Sequence, residues 1–187
     1  MDNKKIAKYS LSFIGGTPEV IEYLNDNETK KIDILICSNG YMTDNIVYAT
    51  IGLADTDIGK ISGNKQLRTE VMIPGDEDER FANILSSVAF IIQDSEDCGH
   101  GMIINNVVST YIENTELQHV ILLYPVFWDK YKPLETEDEI ITWLMAVPIS
   151  EDERQYIHAN GIESFEELLE ENNVDISDLY RTSCTDV

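Results

Sequence analysis

Cys98 and His100 are the cysteine and histidine that stand closest together in the chain, and their residue types suggest nucleophilic or metal chemistry. A thiolate beside an imidazole can act as a nucleophile, and both side chains are common zinc ligands. Together with His119 they could form a catalytic dyad or part of a metal site. A zinc site usually needs a second pair of ligands at similar spacing, and the sequence has none. We therefore interpret Cys98 as an incidental thiol in a loop and His119 as a residue at the edge of a strand.

Asp55 and Asp57, followed by Gly59, resemble the start of a calcium-binding loop. The spaced oxygen ligands and the closing glutamate of such a loop are missing, so we interpret this polar tract as a connection between strands. Glycine-rich nucleotide loops and the G-x-S-x-G, H-E-x-x-H and C-x-x-C motifs are also absent from the sequence. The sequence predicts no catalytic residue, no metal ligand, no cofactor and no enzyme activity.

The composition is strongly acidic. The 187 residues include 35 acidic and 13 basic side chains, which give a net charge of -22. This charge opposes a surface that holds phosphates, so we exclude nucleic acid as a direct ligand. Residues 135–187 carry 15 acidic and two basic residues, so the acidity is concentrated there. Hydrophobic residues make up 43% of the chain and fall in β-branched and aromatic runs, which predicts one folded core.

The cellular location follows from hydropathy and from the cysteines. No apolar run approaches the roughly 20 residues that a membrane-spanning helix needs. The three cysteines, Cys37, Cys98 and Cys184, are odd in number and widely spaced, which favours reduced thiols. We expect a cytoplasmic protein that does not associate with membranes.

Aromatic residues cluster after a predicted central strand and are the strongest candidates for partner binding. Such a cluster either covers the sheet as part of the core or supplies interface anchors, since Trp and Tyr contribute much of the energy of many interfaces. An acidic helix further along the chain would add charge to the same function. The predicted partner-binding residues are Tyr124, Phe127, Trp128, Asp129, Tyr131, Glu166, Glu167, Glu170 and Glu171.

Four helices are predicted from periodicity and capping signals. Apolar spacing predicts a helix over Asn3 to Ile14, and a second helix follows the acidic run Asp76 to Glu79. A capping box that starts at Ser150 predicts a third helix through His158, and a second box, Ser164 to Glu167, predicts the start of a fourth.

Short runs rich in β-branched residues predict the strands. They are Ile32 to Cys37, Asn45 to Leu53, Leu67 to Ile73, Met102 to Val108, Val120 to Tyr124 and Ile140 to Val147. The first two predict a hairpin, and the last two are apolar enough for central strands. Pro74-Gly75, Pro125 and Pro148 are expected to end strands. The predicted fold class is α/β (mixed α+β), a single domain with a central mixed, largely antiparallel sheet flanked by helices.

The C-terminal stretch ITWLMAVPISEDERQYIHANGIESFEELLEENNVDISDLYR (141–181) resembles the suppressor of fused-like (SUFU) domain family. The resemblance lies in the strand that ends in Pro148-Ile149 and in Glu153, Gly161, Phe165, Leu168, Leu169 and Arg181. The segment YPVFW (124–128) is similar to the strand-then-aromatic segment of the family. Together with IDILICS (32–38), YATIGLAD (48–55) and ANILSSVAF (82–90), these blocks resemble bacterial members that act as antitoxin or immunity proteins for polymorphic toxins.

The resemblance implies one SUFU-like domain over residues 1–187 and a protein without catalytic residues. It implies an immunity protein that binds a cognate toxin, expected to be a basic nuclease, and neutralises it by masking its active-site surface. The acidity agrees with such a partner. We expect a monomer or a weak dimer. The alternative function is a scaffold or regulatory protein that binds a peptide by strand addition.

Overall fold

The computed structural model describes residues 2–41, 45–125 and 131–185. Its strands are β1 (Thr17–Leu24), β2 (Lys31–Ser38), β3 (Ile46–Ile51), β4 (Ile61–Ser62), β5 (Lys65–Gly75), β6 (Ile103–Ile104), β7 (Leu117–Leu123), β8 (Leu134–Glu135) and β9 (Glu139–Ser150). Its helices are α1 (Asn3–Ile14), α2 (Glu79–Ser95), α3 (Glu151–Asn160) and α4 (Ile162–Glu171). A short 3-10 helix spans Leu53–Asp55.

All the strands of the described chain belong to one mixed sheet. Its order is β1-β2-β3-β5-β9-β7-β6, with β4 paired to β5 and β8 paired to β9. The β5–β9 pair is parallel, and the other pairings are antiparallel. The predicted fold class, a mixed and largely antiparallel sheet flanked by helices, is therefore confirmed.

The two faces of the sheet carry separate hydrophobic layers. Helix α2 packs on one face, where Phe81, Leu85 and Val88 meet strand residues such as Val71. Helices α1, α3 and α4 pack on the other face, with Trp143 at its centre. Strand β9 is buried over most of its length because helices cover both of its faces.

The helix boundaries follow from local caps. The Asp2 carboxylate accepts the Lys4 N–H at 3.0 Å and starts α1, which spans the predicted residues. Asp78 accepts the Arg80 N–H at 3.0 Å and starts α2 directly after the acidic run. The predicted capping box of α3 is present, because Ser150 and Glu153 each accept the backbone N–H of the other.

The second predicted capping box is wrong. Helix α4 begins at Ile162, so Ser164 lies inside it and does not cap it. Gly161, at φ +93°, is the residue that both ends α3 and precedes α4. A single glycine therefore makes the turn between the two helices, and the second helix starts earlier than the sequence signal indicates.

Pro148 does not end its strand, contrary to the prediction. Strand β9 continues to Ser150, and Pro148 pairs with Val120 of β7. The pairing of β9 with β5 stops at Met145. The Pro148 carbonyl accepts a hydrogen bond from the Arg181 side chain and not from the backbone of a neighbouring strand. The Pro148 nitrogen, which carries no hydrogen, therefore faces away from β7. No hydrogen bond between β9 and β7 is lost at this position. Pro74 lies inside β5 in the same way, so that strand also runs beyond its predicted end.

The predicted strand over Met102 to Val108 is wrong except for two residues near its start. Only Ile103–Ile104 pairs with β7, and the chain then enters turns with Asn106 at φ +60°. Val108 is nevertheless fully buried. An apolar run that packs into the core from turns has the same composition as a strand, which explains the error.

Strand β1 is an element that the sequence analysis did not predict. It forms the edge of the sheet and pairs with β2 over its whole length. It contains Pro18, and its side chains are mostly exposed. These are typical features of an edge strand. Within the described residues, no helix is long and apolar enough to cross a membrane.

Candidate protein-binding surface

Tyr124 is exposed at the end of a buried central strand. It directly follows β7, and 56% of the residue is accessible to solvent. The His100 ring lies parallel to the Tyr124 ring, with 4.2 Å between the ring centroids and an interplanar angle of 7°. An aromatic side chain that is both exposed and held by stacking is suited to act as an interface anchor.

His100 is held in turn by the loop and the helix around it. Its Nε2 lies 3.1 Å from Oε1 of Glu166 in α4. The neighbouring Gly101 donates its N–H to the Leu122 carbonyl at 2.7 Å. Gly101 has φ +80°, and a Cβ there would lie 2.1 Å from Cδ1 of Ile162. The positive φ favours glycine at this turn, and any side chain there would displace the Ile162 side chain of α4.

Helix α4 presents an acidic face to solvent. Phe165 is buried beneath the helix, whereas Glu167, Glu170 and Glu171 are exposed. The helix has no basic residue, so its carboxylates are not neutralised within the helix. We call the combination of Tyr124, His100, Glu166, Glu167, Glu170 and Glu171 the Tyr124–α4 surface.

The structure assigns Tyr131 to a different environment. Its ring packs edge-on against Phe13 and Trp143, with centroids 5.4 Å and 6.2 Å away. Its hydroxyl accepts the backbone N–H of Trp143 at 2.9 Å and lies 2.7 Å from the Thr142 hydroxyl. Burial raises the pKa of this phenol. Tyr131 is thus part of the aromatic packing between α1 and the sheet.

The other predicted binding residues divide into two groups. Phe127, Trp128 and Asp129 lie outside the described residues, which stop at 125 and resume at 131. Tyr124 and Glu166 lie on either side of His100, although 41 residues separate them in the chain. Sequence reasoning did not include His100 in the binding surface, because its position beside Cys98 suggested other chemistry.

The environment of Cys98 opposes nucleophilic chemistry. The residue is 1% exposed, and burial raises the pKa of its thiol to about 12. A thiol in that state is protonated at neutral pH and is a weak nucleophile. His100 is instead engaged with Tyr124 and Glu166. The polar tract at Asp57 contacts Arg68 at 3.3 Å, and the described part of the chain has no group of three potential metal ligands.

His119 is buried within β7 and connects that strand to α3, so it is not the edge residue that we expected. Its Nδ1 accepts the Asn106 N–H at 2.9 Å, and its Nε2 lies 3.0 Å from the Glu151 carboxylate. Arg154 also binds Glu151, and these bonds hold the pKa of the Glu151 carboxyl well below its usual value. The network joins helix to strand.

The edge strand β1 is a second exposed feature. Val20, Ile21 and Leu24 are 52%, 40% and 50% exposed. The Asn25 N–H bonds to the Lys30 carbonyl at 3.1 Å, and bonded pairs alternate along an antiparallel ladder. The backbone groups of Val20, Glu22 and Leu24 therefore point away from β2, toward the open edge.

Residues 28–182 match the family model described as suppressor of fused protein (SUFU). The chain belongs to the SUFU family. The resemblance that the sequence blocks suggested is confirmed. The match includes β7, α4 and both Tyr124 and His100, so the Tyr124–α4 surface lies within the family domain.

A curated relative supports the same assignment. This chain is 36% identical over 185 residues to the protein named Immunity protein YqcF from Bacillus subtilis (strain 168). The alignment covers 97% of this chain and 96% of that relative.

Two solved structures share the SUFU fold. A SUFU homologue from Neisseria gonorrhoeae FA 1090 superimposes with a TM-score of 0.71 at 15% identity, over 97% of this chain and 96% of that one. A chain from the Sufu–Fu complex superimposes with a TM-score of 0.68 at 12% identity, over 98% and 92% of the two chains. At these identities the similarity supports the fold alone.

Proposed function

We propose that this protein is an immunity protein that binds a cognate toxin and neutralises it. The observation that carries the proposal is the 36% identity to a protein named as an immunity protein, over nearly the full length of both chains. A binding role also agrees with the state of the Cys98 thiol, which is buried and protonated and is therefore a weak nucleophile. We propose further that the protein acts in the cytoplasm.

We propose that the toxin binds the Tyr124–α4 surface, and that it is a nuclease with a basic active site. Such a site must attract phosphates, so it also attracts a protein with a net charge of -22. The acidic helix would occupy the groove that nucleic acid needs. Electrostatic attraction of this kind raises the association rate, whereas buried rings slow dissociation.

Co-expression with the neighbouring gene tests the proposal. On this proposal, the C-terminal region of the protein that the neighbouring gene encodes should stop cell growth when it is expressed alone. Cells should tolerate it when this immunity protein is expressed as well. The purified proteins should form a one-to-one complex, and nuclease activity on DNA or RNA should disappear at equimolar ratio. An immunity protein for an unrelated toxin is the control. If the neighbouring product is not toxic, or if it stays active in the mixture, the proposal is wrong.

A second candidate function is peptide binding by strand addition at β1. The observation in its favour is the open edge of the sheet. There the N–H and C=O groups of Val20, Glu22 and Leu24 face away from β2, and apolar side chains on the same strand are exposed. Val20→Pro removes an outward N–H and leaves the bonds to β2 in place, and Val20→Thr is the matched control. If the toxin complex requires β1, only the proline variant will lose binding. If both variants bind normally, strand addition at this edge does not hold the toxin.

A further inference from the structure

An arginine and a tyrosine pair with each other at the surface of the described chain. Tyr180 is 54% exposed, and the Arg80 guanidinium carbon lies 5.5 Å from the centroid of its ring. Arg80 also donates from Nη1 to the Tyr180 hydroxyl at 2.6 Å, and its Nε and Nη2 donate to the Asp78 carboxylate. This unit combines a ring, a guanidinium and a carboxylate at a solvent-exposed position.

Tyr124 offers two of these three components. Its exposure of 56% is close to that of Tyr180, and one face of its ring rests on His100. Glu166 supplies a carboxylate beside the stack, with its Oε1 at 3.1 Å from His100. The Glu166 side chain is 33% exposed, so it is accessible from solvent. A cation is the component that a partner would have to bring.

The stack is ordered before any partner arrives. His100 is held by Glu166 at one end and by the Gly101–Leu122 hydrogen bond at the other. Fixing a side chain on binding costs conformational free energy. Tyr124 avoids part of this cost because His100 already restricts its ring, and that makes it a better anchor than a freely rotating surface tyrosine.

The chemistry of the surface favours arginine over lysine. The face of a tyrosine ring is electronegative and attracts cations. A guanidinium is planar, stacks on the ring and can direct two N–H donors at one carboxylate, whereas an ammonium is a compact, strongly hydrated charge. The glutamates of α4 add negative potential without any basic residue in that helix.

We propose that Tyr124 is the anchor site for an arginine side chain of the toxin, which stacks on the ring and binds Glu166. The proposal rests on the proposed function, because it assumes a toxin that binds this surface. Phosphate-binding sites use arginine for the same planar, two-pronged recognition. The anchoring arginine would then be one that the toxin needs for nucleic acid, and its capture would itself inhibit.

Binding kinetics of the toxin complex test the anchor. Tyr124→Ala should raise Kd by at least 10-fold, mainly through faster dissociation, and Tyr124→Phe should change it by less than threefold because the ring remains. His100→Ala should give an intermediate loss. Tyr180→Ala is the matched control, since that residue has similar exposure and its ring already carries Arg80. It should bind the toxin within twofold of the unchanged protein.

Double-mutant cycles then identify the arginine. Each exposed arginine of the toxin is changed to alanine and to lysine, and each variant is measured against the unchanged protein and Tyr124→Ala. One arginine of the toxin should show at least fivefold coupling to Tyr124. Replacing that arginine by lysine should weaken binding as alanine does. If Tyr124→Ala binds normally, or if all cycles are additive within twofold, the anchor is wrong while protection by the unchanged protein still supports the immunity function. If the unchanged protein neither binds nor protects, both proposals are wrong.

Discussion

The Thr50 hydroxyl donates a 2.5 Å hydrogen bond to the Glu70 carboxylate at the point where strands β3 and β5 cease to pair. Glu70 also accepts the N–H groups of Gly52, Leu53 and Ala54 at 2.9, 3.3 and 3.1 Å. One buried carboxylate thus binds the turn that leaves the sheet. It replaces the ladder bonds that a neighbouring strand would supply.

The first prediction concerns the pH dependence that Glu70 causes. Burial raises its pKa from 4.5 to about 7, and the four donors oppose this increase without cancelling it. As the pH rises, Glu70 therefore loses its proton at a lower pH in the unfolded chain than in the folded protein. The free energy of unfolding should fall by roughly 3 kcal/mol between pH 4.5 and pH 7 and then level off.

Urea unfolding between pH 4.5 and pH 8 measures this effect. Glu70→Gln should lose the pH-dependent difference. It should be destabilised by about 1–3 kcal/mol at pH 4.5, because an amide cannot accept every bond, and this deficit should shrink toward pH 7 as the unchanged protein loses stability. Identical slopes for the variant and the unchanged protein would contradict the assignment.

The second prediction concerns the buried ion pair between Arg181 and Glu153. The Arg181 guanidinium donates to Glu153 at 2.6 and 3.0 Å, and the two side chains are 7% and 0% exposed. Burial alone would raise the pKa of Glu153, but the bonds from Arg181 and from backbone N–H groups lower it. Arg181→Leu should cost about 3–5 kcal/mol by leaving an unpaired buried charge.

Thermal unfolding and limited proteolysis of the residues after 175 should report the loss. Lys31→Ala is the control, because it breaks an exposed pair with Glu22 and should leave stability nearly unchanged. Equal effects of the two substitutions would show that burial of the Arg181 pair does not matter.

The third prediction concerns the acidic face of α4. Changing Glu166, Glu167, Glu170 and Glu171 together to glutamine should slow toxin association by about tenfold at low salt and flatten its salt dependence. Stopped-flow association at several salt concentrations measures this. The matched control neutralises the exposed acids Glu19, Asp26, Glu77 and Glu113, which changes the net charge equally. If both variants slow association to the same extent, total charge acts and the helix does not.

The fourth prediction concerns Trp128, which lies outside the described residues. If its ring is an interface anchor, Trp128→Ala should speed dissociation of the toxin by an amount equivalent to about 2 kcal/mol and leave the protein folded. If the ring is a core residue, the same change should instead lower the melting temperature. Circular dichroism and surface plasmon resonance on one sample distinguish the two outcomes.

The fifth prediction concerns the thiols. Cys37, Cys98 and Cys184 are free and buried, and burial raises their pKa values to about 11, 12 and 12. A thiol reagent at pH 8 should label none of them in the native protein within minutes and all three in guanidinium. Reductant should leave the melting temperature unchanged. Fast labelling of the native protein would show that one thiol is accessible.

Local patterns along the sequence determined much of the secondary structure and the family. The spacing of Ile6 and Phe13 predicts α1, the apolar run in β9 predicts a central strand, and the Ser150–Glu153 box predicts the start of α3. Each signal depends on residues within about one turn or one strand of each other. Elements of this kind can therefore be predicted without knowledge of the rest of the fold.

Tertiary structure alone decided the features that join distant parts of the chain. Tyr124, His100 and Glu166 meet because β7, a glycine-dependent loop and α4 converge, and no periodicity in the sequence signals that meeting. Pro148 stays inside a strand because β9 no longer pairs with β5 beyond Met145 and because Arg181 donates to the Pro148 carbonyl. The energy of such contacts depends on burial and on partners far along the chain. These become defined only once the sheet and its two helical layers have packed.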